Sequence, residues 1–250
     1  MDEKVLRLLE SKVESWRIRV KDADERKTYD EVFDRRTLLT LQKLISSSTI
    51  ETIDYPVSTG KEGNVFRASS VKGARAVKIY RTSAFRTISK YIEGDPRFPH
   101  ISGNRRRLIC TWASKEFRNL SRMATYGVRV PKPYRCLENV LVMSYLGSTR
   151  RPAPELRNVE VDDPDRLFEL FLQDAQRIHQ AKLVHGDLSE YNILIWRRLP
   201  YIIDVGQAVP LVHPHAEEWF ERDMQNMARY FTKIGVEVSP EDLARRVRGG

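Results

Sequence analysis

The stretch His185-Gly186-Asp187-Leu188-Ser189-Glu190-Tyr191-Asn192 places an aspartate and an asparagine five residues apart, between a long helical pattern and a short apolar run. Asp204 follows twelve residues after Asn192, at the end of Tyr201-Ile202-Ile203 and ahead of Val205-Gly206. Phosphoryl transfer asks for two such sets of groups. One carboxylate must orient the attacking hydroxyl or take its proton, and oxygen ligands must hold a hard cation on the transferring phosphates. Asp187 suits the first task, and Asn192 with Asp204 suits the second. The competing reading is a helix-capping loop around a buried structural histidine.

Two further motifs lie upstream. Ser58-Thr59-Gly60-Lys61-Glu62-Gly63-Asn64-Val65 sits between two strand-like runs and lets backbone approach phosphates closely, although any strand-turn-strand can carry such a loop. It is not a Walker loop, because no Gly-Lys-Ser/Thr ends it. Thirteen residues after Val65, Lys78 stands in Ala76-Val77-Lys78, where an ammonium can bridge nucleotide phosphates if a carboxylate holds it. Glu116, on a helix expected to start near Trp112, is the candidate partner.

These residues need elements to position them. Residues 1 to 59 hold no glycine, and Val5, Leu6, Leu9, Val13 and Trp16 recur at helical spacing. A second helical pattern covers Thr37 to Ile45. Short strands are expected at Thr52 to Tyr55, Asn64 to Arg67, Ala74 to Tyr80 and Asn139 to Leu146. Residues 81 to 111 carry seven basic residues against two acids and two helix-breaking Asp-Pro and Phe-Pro pairs, and read as a long basic loop. Residues 150 to 164 form a connector. A helix from Asp165, strands at Asn192 to Trp196 and Tyr201 to Ile203, and a helical remainder follow, with Ser239-Pro240-Glu241-Asp242 as a helix start. The expected fold is α+β in two lobes: a helical extension at 1–50, a sheet-bearing lobe at 51–146 and a helical lobe at 147–250.

Composition narrows the partners. A formal net charge of +9, with 31% charged residues, favours polyanions: nucleotide, nucleic acid or an acidic surface. Cys110 and Cys136 stand in no metal-ligand spacing and give no disulfide framework, which points to a reducing compartment. The N-terminus has acids where a leader has none, and no apolar run approaches a membrane span. A soluble cytoplasmic protein without membrane partners is expected.

The glycine loop, strand lysine, helical glutamate, Asp-Asn loop and later aspartate stand in protein-kinase order. With Ala76-Val77-Lys78-Ile79-Tyr80, Lys115-Glu116-Phe117 and Gly206-Gln207-Ala208 they resemble the RIO family of atypical serine kinases, most closely its RIO-one subfamily, over nearly the whole chain. The resemblance implies a bilobal kinase fold trimmed of activation segment and peptide-docking helices, with extra N-terminal helices. It implies ATP with magnesium (or manganese in its place), held by Ser58, Thr59, Gly60, Lys61, Glu62, Gly63, Val65, Lys78, Glu116, Met143, Ser144, Leu146 and Glu190. Ser144 to Leu146 would be the adenine-facing hinge, Asp223 a brace for the catalytic loop, and His185 a supporting residue. It further implies action in maturation of the small ribosomal subunit, with rRNA, protein substrates and the chain itself as partners. Gly63 departs from the alanine expected there, which predicts a looser phosphate loop.

Two other functions share these residues. A nucleotide-gated assembly ATPase binding rRNA uses the same groups with water as acceptor. A small-molecule phosphotransferase of the aminoglycoside or choline type has similar catalytic strings but usually a large acidic lobe. The basic loop at 81–111 reads as an autophosphorylation target, an RNA clamp or a solvated insertion, and the oligomeric state is left open.

Overall fold

The computed structural model describes residues 3–19, 32–60, 62–81, 91–98 and 104–249. The chain divides into two compact units. The first comprises Met1–Ser89, Ile101–Ser114 and Pro133–Tyr145, and the second Lys90–His100, Lys115–Lys132 and Leu146–Gly250.

In the first unit two helices, α1 (Glu3–Arg19) and α2 (Arg35–Ser46), precede an antiparallel sheet. Its strands are β1 (Thr52–Thr59), β2 (Gly63–Ser69), β3 (Arg75–Tyr80), β4 (Pro133–Leu137) and β5 (Val140–Ser144), in the order β1-β2-β3-β5-β4. Asp34 caps α2 by accepting from the Thr37 amide at 2.7 Å, satisfying one of the helix's orphan donors. Leu38, Leu41 and Leu44 of α2 share one core with Phe66, Val77, Ile79, Val140 and Val142. Burying each such side chain contributes about 1.5–3 kcal/mol relative to exposure. Phe33 meets Phe66 edge to face at 5.1 Å. Because strand side chains alternate, Lys78 lies between Val77 and Ile79 on the opposite face of the sheet from that core.

Two readings of this region are corrected. Strand β4 has no counterpart among the expected elements: its leading proline and exposed Tyr134 and Arg135 hide the pattern, as an edge strand allows. Helix α3 runs Arg105–Thr125, so residues 105–111 are not loop. Asn104 accepts from the Arg106 amide at 3.0 Å, and Ile109 and Trp112 are buried. Arg106 pairs with Asp34 at 3.4 Å and lies 3.8 Å from Glu138, so part of the basic run is spent inside the unit. Residues 82–90 and 99–103 of the expected loop lie outside the described residues.

The second unit holds α4 (Pro164–Gln180), the pair β6 (Leu183–Val184) with β9 (Val209–Pro210), the hairpin β7 (Ile193–Trp196) and β8 (Leu199–Ile202), and helices α5 (Ala216–Lys233) and α6 (Pro240–Arg248). Caps fix the helix starts. Asp163 accepts from the Arg166 amide ahead of α4, and Ser239 accepts from the Asp242 amide ahead of α6, each at 3.0 Å. Phe231 of α5 stands against Phe168 at 4.9 Å and Phe171 at 5.1 Å of α4. Residues 91–98 are also ordered within this unit. The Tyr91 ring packs on Trp219 at 4.8 Å, and the Glu93 carbonyl accepts from His213 Nε2 at 2.9 Å.

Candidate active site

Strand β6 ends at Val184, and the loop from His185 to Asn192 crosses to β7. Its backbone is held from below by Asp223 of α5. The two carboxylate oxygens accept from the Gly186 and Leu188 amides, each at 2.8 Å. The Arg222 guanidinium donates to the Gly186 carbonyl, and Asn226 donates to the Leu188 carbonyl at 3.3 Å. Asp187, between those pinned residues, presents a partly exposed carboxylate. Asn192 Nδ2 donates to the Asp187 carbonyl at 2.7 Å and lies 3.4 Å from its Oδ2, while Gln207 Nε2 donates to that same Oδ2 at 3.2 Å. Asp187 therefore has one oxygen fixed by amides and one free of them.

The hairpin register delivers the second carboxylate. Beyond β8 the Ile203 amide still donates to the Asn192 carbonyl at 2.9 Å, so the pairing runs on to Asn192 opposite Ile203, and Asp204 is the next residue of the chain. Asp204 has φ 58° and ψ 51°, a left-handed conformation that aspartate tolerates better than most residues, and it opens a single 3-10 turn, Val205–Gln207. That turn has few bonds of its own, and side chains supply the rest. Lys115 Nζ donates to the Gly206 and Ala208 carbonyls at 2.6 Å, and Asn119 Nδ2 to the Val205 and Ala208 carbonyls at 2.8 and 2.9 Å. Arg97, chelated by buried Asp95, donates from Nη1 to Asn119 Oδ1 at 2.8 Å.

Burial pushes the Asp187 carboxyl above its ordinary value and the nearby Asp204 adds to this, while Arg222 and the Asn192 amide oppose it. Burial likewise raises Asp223 to about 7, against the two backbone donors and Arg222. His185 is buried and held neutral. Because a carbonyl only accepts, its Nε2 carries the proton and donates to the Ile203 oxygen at 3.1 Å. That geometry suits a support, tying the catalytic loop to the strand that carries Asp204.

In the first unit, Ser58 and Thr59 end β1 opposite Val65 and Asn64, and the Gly60 amide donates to the Gly63 carbonyl at 2.9 Å to close the loop. Arg81 donates to the Gly60 carbonyl, and its amide donates to Glu62. Lys61 lies outside the described residues. The expectation that Gly63 loosens this loop is corrected. A Cβ on Gly63 would stand 2.3 Å from the Ile79 carbonyl oxygen, so the glycine lets β2 and β3 approach closely at the loop's base. Lys78 is buried between Val65 and Leu141 of the flanking strands, its ammonium 5.1 Å from the Tyr80 ring centroid.

The remaining expected residues are distributed as follows. Met143 is buried in β5 opposite Ala76, and Ser144 pairs with Arg75. Leu146 belongs to the second unit, where its carbonyl accepts from Ala153. Glu116 is buried on α3 beside Lys115, and the Glu190 carbonyl accepts from the Arg157 amide at 3.3 Å. Within the second unit the structure thus gathers His185, Asp187, Asn192, Asp204 and Asp223. Sequence reasoning gave no role to Gln207, Lys115, Asn119 or Arg97. For two of them the available signal was spacing, Lys115 and Asn119 being polar residues four apart on one helix face, and both are buried.

Comparison with known proteins follows the same lines. The RIO domain family model matches residues 64–243. The RIO-type serine/threonine-protein kinase Rio1 of Haloferax volcanii is 41% identical over 250 residues, covering 99% of this chain and 86% of that protein. The enzyme of the same name from Methanocaldococcus jannaschii is 41% identical over 229 residues, covering 90% of this chain and 79% of that one. Among solved structures, the Rio2 kinase of Chaetomium thermophilum matches with a TM-score of 0.67 and 26% identity, over 85% of this chain and 68% of its own.

Proposed function

The chain belongs to the RIO family, and we propose that its atypical kinase activity moves the γ-phosphoryl group of ATP to serine or threonine hydroxyls of protein, its own included, and to water when no hydroxyl is presented. The observation that carries this reading is the fixed Asp187 carboxylate. Asn192 and Gln207 hold one oxygen, and the other remains to orient the acceptor hydroxyl and take its proton. The small-molecule phosphotransferase reading gives way to the family match.

Magnesium fits the donor set. The Asn192 amide spends its Nδ2 on Asp187, which leaves Oδ1 to join the Asp204 carboxylate, and two hard oxygen donors plus nucleotide phosphates suit that ion. Among the described residues no cluster of three or more His, Cys, Asp or Glu offers an all-protein metal site. A bound magnesium supplies charge neutralisation on the phosphates. Lys78 is the group for the α- and β-phosphates, with Glu116 assigned to hold it. Ser58 to Gly63 with Val65 cover the nucleotide, Met143, Ser144 and Leu146 line the adenine side, and Glu190 completes the contacts.

In the cell we assign the activity to maturation of the small ribosomal subunit in the cytoplasm, on the strength of the basic charge and the family resemblance. No helix among the described residues is long and apolar enough to cross a membrane. The test uses γ-labelled ATP with magnesium, counting protein-bound label and free phosphate separately. Asp187→Ala should lower both by about 10²–10⁴-fold, as loss of a general base does, and Asp204→Ala should lower both. Equal turnover by wild type and Asp187→Ala refutes the assignment. Free phosphate in excess, raised by ribosomal particles, favours the ATPase branch.

A further inference from the structure

The β7–β8 hairpin closes on two residues. Trp196 pairs with Leu199, and Arg197 and Arg198 between them have φ 51° and 62°. A two-residue loop with both φ positive is a type I′ turn, which favours Asn-Gly because a side chain in that conformation crowds its own backbone. Two arginines are a strained choice there. Nothing in the fold repays it: both are exposed, Arg197 lies 5.7 Å from the Trp196 ring centroid, and among the described residues neither is ion-paired.

At the other end of β7 a similar pair recurs. Tyr191 is 53% exposed, and the Arg157 guanidinium lies 4.7 Å from its ring centroid. The backbone keeps this pair beside the strand, since Glu155 bridges Leu194 and the Arg157 amide donates to the Glu190 carbonyl. Glu155 sits 2.6 Å from Arg157 and offsets its charge, so the net positive charge comes from the hairpin tip. Two aromatic-guanidinium pairs thus flank a four-residue strand, which spans about 13 Å at roughly 3.3 Å per residue.

We propose that this hairpin binds a single-stranded nucleic acid, with the Arg197–Arg198 tip on its phosphates and Tyr191 and Trp196, at the two ends of β7, as stacking surfaces for its bases. Bases stack on aromatic rings while the backbone follows cationic side chains. An acidic peptide lacks flat groups for the rings, and a duplex keeps its bases enclosed. The proposal deepens the nucleic-acid part of the reading above and is separable from phosphotransfer, because Lys78, Asp187, Asn192 and Asp204 are untouched by the test.

That test is the full chain carrying Arg197→Asn with Arg198→Gly, the pair a type I′ turn prefers. Its Tm should rise by a few degrees as strain is relieved, so failure to fold does not obscure the result. ATP turnover should stay at the wild-type level. Anisotropy of a labelled single-stranded RNA of about 16 nucleotides should show roughly tenfold weaker binding. The slope of log K against log salt should shrink by about 1.4, two phosphate contacts at roughly 0.7 each. Tyr191→Ala should weaken binding with little change in that slope. Unchanged affinity and slope in the double variant overturn the proposal. So does equal loss of binding to an acidic peptide or to a duplex of the same length.

Discussion

Asn119→Leu tests whether the turn after Asp204 is held by side chains. Asn119 is fully buried and makes three hydrogen bonds, to the Val205 and Ala208 carbonyls and from Arg97. Leucine has similar volume, so the change deletes the bonds and opens little cavity. The Ala208 carbonyl keeps Lys115 and the Val205 carbonyl keeps the Ala208 amide at 3.1 Å, but Arg97 Nη1 loses the partner Asn119 gives it. A buried polar group left without its partner costs about 1–3 kcal/mol, so the one orphaned N–H costs about 2 kcal/mol. For a chain of this size that is roughly a 6 °C fall in Tm, at about 3 °C per kcal/mol. The turn also carries Gln207 to Asp187 and fixes Asp204, and a misplacement near 1 Å costs about 100-fold in rate. Scanning calorimetry measures the first effect, and kcat per folded molecule, well below the variant's Tm, measures the second. A Tm within two degrees of wild type, at about 1 kcal/mol or less, refutes the energetic argument. A lowered Tm with unchanged kcat refutes the claim that this network positions the catalytic groups.

Two more outcomes follow from the geometry. Gln207→Ala removes an N–H that favours the ionised Asp187 carboxylate, whose pKa burial already raises. The acid limb of the kcat–pH profile should therefore move to higher pH, activity being lost sooner as pH falls, and a profile superimposable on wild type sinks the assignment. Gly63→Ala places a Cβ against the Ile79 carbonyl, an overpacking that costs about 1–3 kcal/mol. It should lower Tm and raise KM for ATP, whereas unchanged values mean that the β2–β3 contact yields freely.

How much of this was legible in the sequence depended on the kind of signal. The string from His185 to Asn192 and Asp204 stood out because their chemistry and spacing are both constrained, and the strand around Lys78 because four of its six buried residues, Ala76, Val77, Ile79 and Tyr80, are apolar. The start of α3 was not. Arg105, Arg106 and Arg107 look like loop charge, and only the capping by Asn104 and the pairing of Arg106 with Asp34, 72 residues away, make them helix. The role of Arg97 was equally hidden, since it depends on contacts with Asn119 and Ala208 that sequence distance conceals. The steric demand at Gly63 comes from the opposite strand, where no local pattern records it.

The bracing of residues 205–208 bears on how a carboxylate can sit in a left-handed backbone and still be rigid. Asp204 gains no side-chain cap bond from its own turn, and that turn is one 3-10 step long. Three of its carbonyls, those of Val205, Gly206 and Ala208, are instead taken by Lys115 and Asn119 from one face of α3. Asn119 is in turn fixed by Arg97, and Arg97 by Asp95. Every link is buried or partly buried, where a satisfied polar network rigidifies and a broken one is costly. The backbone strain at Asp204 is thus offset by side chains from two segments far off in sequence. One of those two segments, residues 91–98, lies within the stretch that the sequence reads as a long basic loop.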